Sequence, residues 1–276
     1  MTSPRQIARV ILPFSVRVAL LRLRRLPDWL LERRGIARAR ANGEARRAFH
    51  YVLSEQTSPL KRETGDYDPR LQAGKEVNVA QAARRLDGLL IGPNQVFSYH
   101  HTVGWPSRLR GFRAGLELQA GKPSQGVGGG CCQVSNLLYI LALRSGMKIV
   151  ERHRHGLDLF PDQDRVLPFG CGATVFYNYA DLRFENPLTE PVLLRLGIAD
   201  GSLRGTLSTP SDPGWVAEVY EVDHRFFREN GSWYRENRIR RRFRRADGSI
   251  LLDREESHNR GRVLYEPPED VCGAQL

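Results

Sequence analysis

The sequence is poor in sulfur, in lysine and in uninterrupted apolar stretches. Four cysteines in 276 residues, Cys131, Cys132, Cys171 and Cys272, do not make the disulfide framework that holds small secreted domains. Two of them are adjacent, and a bond between neighbours would strain the intervening peptide. Reduced thiols in a cytosolic compartment are the expectation. In the N-terminal stretch MTSPRQIARVILPFSVRVALLRLRRLPDWLLERRG, Pro13, Arg17, Arg22, Arg24 and Arg25 interrupt every apolar run. Each run falls well short of the roughly 18 residues a spanning helix requires. The stretch also lacks an h-region with a small-residue cleavage site. The expected location is therefore cytoplasmic, or peripheral on the inner membrane face. A G-x-S-x-G elbow, a Walker loop and a dinucleotide fingerprint are missing too, so no cofactor is expected.

The remaining composition suits a folded protein with an unusual charge. Hydrophobic residues make up 41% of the chain, enough for a sizeable core. The net charge is +11 and the pI is about 9.9. Almost all of the basic charge is arginine; the lysines are Lys61, Lys75, Lys122 and Lys148. Arginine preference can follow genome composition and does not by itself define a phosphate site.

Three regions are expected. Residues 1–47 form a basic, amphipathic helical block in which arginines from Arg17 to Arg47 face only Asp28, Glu32 and Glu44. Val16, Leu20, Leu23, Trp29 and Leu30 recur at roughly helical spacing, and Pro27 should kink or divide the helix. Such a block either packs on the main domain as a solvated extension or makes peripheral contact with an anionic membrane. No groove-reading motif follows it, so no specific nucleic acid is expected.

Residues 48–205 form the core. Within it, 48–75 is polar and turn-rich and reads as a connection. A helix follows over VNVAQAARRLDGLL, with Asn78 as N-cap and Gly92-Pro93 as its stop. QVFSYHHTVG, MKIVERHRHGL, CGATVFYNYADLRFENP and EPVLLRLGI read as strands, and a second helix starts after Gly130 with Gly146 at its end. Residues 206–276 form a β-hairpin-rich extension, with Asn230-Gly231 and Asp247-Gly248 as hairpin turns. RENRIRRRFRR alternates as an exposed strand, read as a solvated edge or as a surface for an acidic ligand.

The chemistry concentrates in GVGGGCCQVSNLL, Gly126 to Leu138. A glycine turn entering a helix leaves the first N–H groups unpaired. A thiol there feels the positive end of the helix dipole, which lowers its pKa, and the neighbouring N–H groups can hold an oxyanion. His153 and His155 lie two apart on the next strand and offer a base. A helix-borne Cys followed by a strand His is the chain order of papain-like and transglutaminase-like enzymes. Asp158, Asp164 and Asp181 are available to orient the imidazole. Two alternatives stand beside this one: a packed thiol acting as a small hydrophobe, and a metal site drawn from Cys131, Cys132, His153, His155 and Cys171, whose spacings do not match those usual for zinc. His100-His101 reads as a polar contact that could approach the same region.

VNVAQAARRLDGLLIGPNQVFSYHHTVG, GVGGGCCQVSNLLYILALRSGMKIVERHRHG and GATVFYNYADLRFENP together resemble the VanW family, named for an accessory protein of B-type vancomycin-resistance clusters. The resemblance runs most strongly from Glu76 to Asn186. It implies an association with glycopeptide resistance or cell-wall metabolism, with a peptide or cell-wall precursor as ligand. Gly128, Gly129 and Gly130 match the glycine triplet, Cys132 the family cysteine and Ser135 the family serine. Arg152 and His155 match R-x-x-H, and Asp181, Arg183 and Asn186 fall in D-L-x-x-x-N. Gly172 stands where the family pattern has Asp before A-T-V, and Asn94 replaces the glycine of a P-G pair. These matches imply a site with Cys132 as nucleophile, His155 as base and Asp181 as orienter, with Gly129, Gly130, Gln133, Ser135 and Arg152 around the substrate or oxyanion. The fold implied is α/β or α+β, a Cys-bearing helix on a mostly antiparallel sheet. A non-enzymatic accessory module is the competing function.

Overall fold

The computed structural model describes residues 14–31, 35–61, 68–119, 122–154, 156–158 and 168–267. The fold is α+β, with four α-helices among the described residues and sheets that are mostly antiparallel. Helix α1 is Phe14–Leu31 and contains Pro27. Strand β1 is Tyr51–Pro59, followed by helix α2, Pro69–Leu86. Strands β2 (Leu89–Ile91) and β3 (Val96–Ser98) lead to the short helix α3, Tyr99–Val103. The hairpin β4 (Ala114–Gln119) and β5 (Lys122–Val127) precedes helix α4, Cys131–Arg144. Strands β6 (Lys148–Glu151), β7 (Leu157–Asp158), β8 (Arg183–Glu185), β9 (Val192–Ala199) and β10 (Ser202–Thr209) follow. Three long strands close the described chain: β11 (Val216–Glu229), β12 (Ser232–Arg244) and β13 (Ile250–Val263).

The core sits around α4. From Val134 to Leu143, every residue except Asn136 is buried, so the helix is enclosed on nearly all sides. It packs against β1 and β10 of the sheet ordered β1-β10-β9-β2, and against α2 on another side. β9 and β10 meet at Asp200-Gly201, both left-handed, as the turn signal requires. A smaller sheet, β3-β8-β6, brackets the segment carrying Asp181. β10 crosses position 205, so the strand continues past the end of the expected core.

Several expectations need correcting. Residues 48–75 are not a bare connection, because β1 pairs with β10 along its whole length. Helix α2 starts at Pro69, not at Asn78: Asp68 accepts the Arg70 N–H and the proline occupies the first turn, where its missing N–H costs nothing. The helix stops at Asp87, well before Gly92-Pro93. Only Arg183–Glu185 of the CGATVFYNYADLRFENP stretch is a strand; irregular chain and one turn at 177–179 make up the preceding part.

The arginine-rich strand is also not an edge. β12 lies inside the order β11-β12-β13-β7, with Asn230-Gly231 forming a two-residue hairpin at positive φ. Bulges at Val222/Arg225 and Ile239/Arg240 help curl this sheet into a half-barrel. One face of β12, Arg235, Asn237, Ile239 and Arg241, is buried against the core. The other carries Arg238, Arg240, Arg242 and Arg244, which pair with Asp223, Glu255, Asp253 and Glu218. These partners leave the strand poorly suited to an acidic ligand.

The buried face does structural work. Arg241 donates from Nη1 to the carbonyls of Leu143 (3.1 Å) and Met147 (2.8 Å), and from Nε to Glu256 at 2.8 Å. It thereby satisfies the C-terminal end of α4 and places a cation at the negative pole of the helix. Arg235 makes the equivalent anchor to buried Asp158 at 3.3 Å. Arg241→Ala should lower stability by about 3–5 kcal/mol in urea denaturation, because the Leu143 and Met147 carbonyls lose their partner in a buried site and Glu256 keeps only Arg254. Joint replacement of Arg241 by Met and Glu256 by Leu should cost less than the single change.

Candidate functional site

The glycine turn before α4 is fixed by close backbone packing. Gly130 has φ 97°, a left-handed conformation at the helix N-cap that glycine adopts without strain. A Cβ on Gly115 would lie 2.7 Å from the Gly129 carbonyl, and one on Gly129 would collide with the Gly115 carbonyl. The turn and strand β4 therefore touch backbone to backbone. Asn78 completes the assembly from α2. Its amide donates to the carbonyls of Arg113 and Gly129, both at 2.9 Å, and its oxygen accepts the Arg113 N–H at 2.8 Å. Fully buried Asn78 thus joins helix, hairpin and cysteine turn. Sequence reading missed it by treating it as an N-cap; the available signal was a lone amide interrupting the apolar face of Val79, Ala82 and Leu86.

Cys132 sits in the first turn of α4, partly buried, with its thiol facing the Val175 carbonyl at 3.9 Å. Burial raises its pKa, the Val175 contact opposes that, and the Glu117 carboxylate raises it further. Burial also raises the Glu117 carboxyl. Glu117 projects from β4 and was not singled out from sequence; it covers Gly126, whose Cβ would lie 2.6 Å from its carboxyl. Cys131 points into the core beside Tyr99, and burial pushes it up to about 12. Cys171 is likewise buried and pushed up to about 12. Free thiols are therefore what Cys131, Cys132 and Cys171 present, and the depressed pKa expected from the helix dipole is not found at Cys132.

Several residues expected around an oxyanion make bonds within the fold. The Gly129 N–H donates to Gly126 O at 2.9 Å, and the Gly130 carbonyl accepts the Gln133 N–H. Gln133 turns toward β1, donating to Ser58 Oγ (2.8 Å) and Pro59 O (2.6 Å). Buried Ser135 donates to Ala173 O at 2.7 Å and has Cys132 O at 3.1 Å. Arg152 stacks over Tyr139 and donates to the carbonyls of Gly170 and Gly172. These bonds hold the Gly172–Val175 segment alongside α4.

Asp181 is buried, accepting from Ser98 Oγ at 2.5 Å and from the His100 N–H at 3.0 Å. Since Ser98 gives its proton to Asp181, its oxygen accepts from His101 Nδ1 at 3.0 Å. His100 donates from Nε2 to Ala180 O at 2.7 Å. His100 and His101 share the short helix α3 with Tyr99, which lies beside Cys131. His153 instead contacts Glu151 at 2.7 Å. Burial pushes the Glu151 carboxyl up, but hydrogen bonds from His153, Arg25 and the Asp181 N–H prevail and hold it at about 2. Asp158 pairs with Arg235. His155, Asp164 and Cys272 lie outside the described residues. Among the described residues, no group of three His, Cys, Asp or Glu side chains is arranged to hold a metal.

Fold and site together define an α+β protein with a helix-borne thiol behind a glycine turn, clamped by a buried asparagine. Residues 74–208 match the family model described as VanW like protein, and the chain belongs to the VanW-like family. It is 26% identical to the vancomycin B-type resistance protein VanW of Enterococcus faecalis (strain ATCC 700802 / V583) over 238 residues, 86% of each chain. It is 35% identical over 130 residues, 47% of this chain, to the uncharacterized protein YoaR of Bacillus subtilis (strain 168). That match spans only 41% of YoaR. No solved structure matches the chain.

Two outcomes follow from this geometry. Asn78→Ala should cost about 2–3 kcal/mol in urea denaturation, since it orphans buried backbone groups. Glu151, held below its ordinary 4.5 at about 2, contributes stability that is present above pH 4.5 and lost as pH falls toward 2. The stability gap between the native chain and Glu151→Gln, up to about 3 kcal/mol, should shrink over that window when denaturation is followed from pH 5 to pH 2.

Proposed function

We propose that this chain is an accessory protein of glycopeptide resistance or cell-wall metabolism that binds a peptide-bearing cell-wall precursor on the face beside Cys132. The observation that carries the reading is an exposed aromatic surface at that position. Trp105 is 57% exposed and stacks on Tyr177, with ring centroids 6.2 Å apart. Phe176 is 37% exposed and stacks on Tyr179 at 5.3 Å. Pro106 rests on Gly128 of the cysteine turn, and Phe176 follows the residue whose carbonyl meets the thiol. Pre-stacked, exposed rings offer apolar area at little entropic cost, and they suit the apolar faces of sugar rings and small side chains. The relative named for B-type vancomycin resistance supports the cell-wall assignment.

Thiol acyl transfer by Cys132, with His155 as base, is the second reading. It is favoured by the position of Cys132 in the first turn of α4. Against it stand the raised thiol pKa and the structural engagement of Gln133, Ser135 and Arg152.

Calorimetric titration with soluble UDP-linked muramyl pentapeptide, paired with iodoacetamide labelling across pH, separates the two. The binding reading expects saturable association weakened roughly tenfold or more by Trp105→Ala, and a Cys132 that labels slowly below pH 8. Fast labelling well below pH 8 that is abolished by Cys132→Ser and slowed by His155→Ala puts acyl transfer first. Absence of association sinks the binding reading.

A further inference from the structure

Among its described side chains, helix α1 docks through Arg22 and Arg25. Arg22 donates to the Tyr177 carbonyl and Arg25 to the Tyr179 carbonyl, both at 3.1 Å. Arg25 also pairs with Glu151, and Asn178 donates to Arg22 O at 3.3 Å. The docked side is therefore the arginine side, held by the turn that carries the exposed aromatics.

The opposite side of α1 is apolar. Val16, Leu20 and Leu23 stand at i, i+4 and i+7, which share one helix face. They are 41%, 51% and 62% exposed. At ~100° per residue this stripe lies about half a turn away from Arg22 and Arg25. Leu26 widens the exposed apolar area, and Arg24 stands exposed beside the stripe. A surface helix normally buries its apolar face and shows its charges to water; here Arg22 and Arg25 are bound to the protein while Val16, Leu20 and Leu23 face outward. The helix does not meet the length and hydropathy of a membrane span. Its geometry is that of a helix lying in a membrane interface.

We infer that the Val16–Leu20–Leu23 stripe of α1 inserts into the surface of an anionic membrane. Leucines enter the headgroup–acyl boundary, while Arg24 and the chain's net charge of +11 attract the anionic lipid. Because α1 is bonded to Tyr177 and Tyr179, insertion brings the aromatic surface next to the lipid headgroups. A lipid-linked cell-wall precursor would present its sugar and peptide there. This last step rests on the binding reading above; the membrane contact does not.

The test is flotation of the full chain with vesicles of equal parts phosphatidylglycerol and phosphatidylcholine, and with phosphatidylcholine alone. The expected result is flotation with the anionic vesicles and much less with the neutral ones. Leu20→Ser with Leu23→Ser should reduce the floated fraction on the order of tenfold, since both side chains lose their buried area. These exposed positions leave the core untouched, and an unchanged urea midpoint for the variant verifies that. Failure to float, equal flotation with both vesicles, or flotation indifferent to the leucine changes overturns the inference. So does a concentration-dependent dimer in sedimentation that the same changes dissolve, because a second copy would then cover the stripe. Flotation without binding of the muramyl peptide keeps the membrane contact and removes only the binding reading.

Discussion

The structure depends on how the ends of one enclosed helix are satisfied. α4 buries almost every residue from Val134 to Leu143, so its terminal backbone groups cannot simply turn to water. Its start follows a left-handed glycine turn that Asn78 locks to α2 and β4. Its end is met by Arg241, reaching in from a strand that begins nearly ninety residues later. The C-terminal sheet is thus part of what completes the core helix. Arg235, Asn237 and Asn259 extend that junction by holding Asp158, the Phe169 carbonyl and each other around the loop leading toward Val175.

The same enclosure sets the state of the thiol. The pole of a helix stabilises an adjacent anion by about 0.3–1 kcal/mol at exposed sites, less than one pKa unit. Burial of an ionisable group raises the cost of its charge by up to several units. At Cys132 burial prevails, and Glu117 adds a like charge. A position that looks activating from sequence therefore holds a protonated thiol once its neighbours are in place. The pole of α4 acts in the activating direction and is outweighed by burial.

Much of the architecture was legible because it rests on local rules. The periodicity of Val134, Leu137, Leu138 and Leu141, the left-handed Gly146, and the Asp200-Gly201 and Asn230-Gly231 turns appear where the chain signals them. What escaped was long-range. Asn78 has the chemistry of a cap, and only contacts with Arg113 and Gly129 reveal it as a buried clamp. Arg235 and Arg241 read as solvent-facing because isolated arginines almost always are, yet alternation along β12 turns them inward to find Asp158 and Glu256. A central strand and an edge strand can share one charge pattern when the exposed half is neutralised across the sheet.

The departure at Gly172 has a local physical explanation. Asn136 accepts the Ala173 N–H through Oδ1 at 2.7 Å, and a Cβ on Gly172 would lie 3.2 Å from that same oxygen. An aspartate at 172 would bring a carboxylate toward an amide oxygen, setting acceptor against acceptor in a partly buried site. Rotating the Asn136 amide would relieve the repulsion but surrender the Ala173 bond. The Ala173–Val175 segment, whose carbonyls meet Ser135 and Cys132, is positioned partly by that bond. Asn136 and Gly172 therefore work as a pair: the glycine leaves room for the amide that holds the Ala173 N–H.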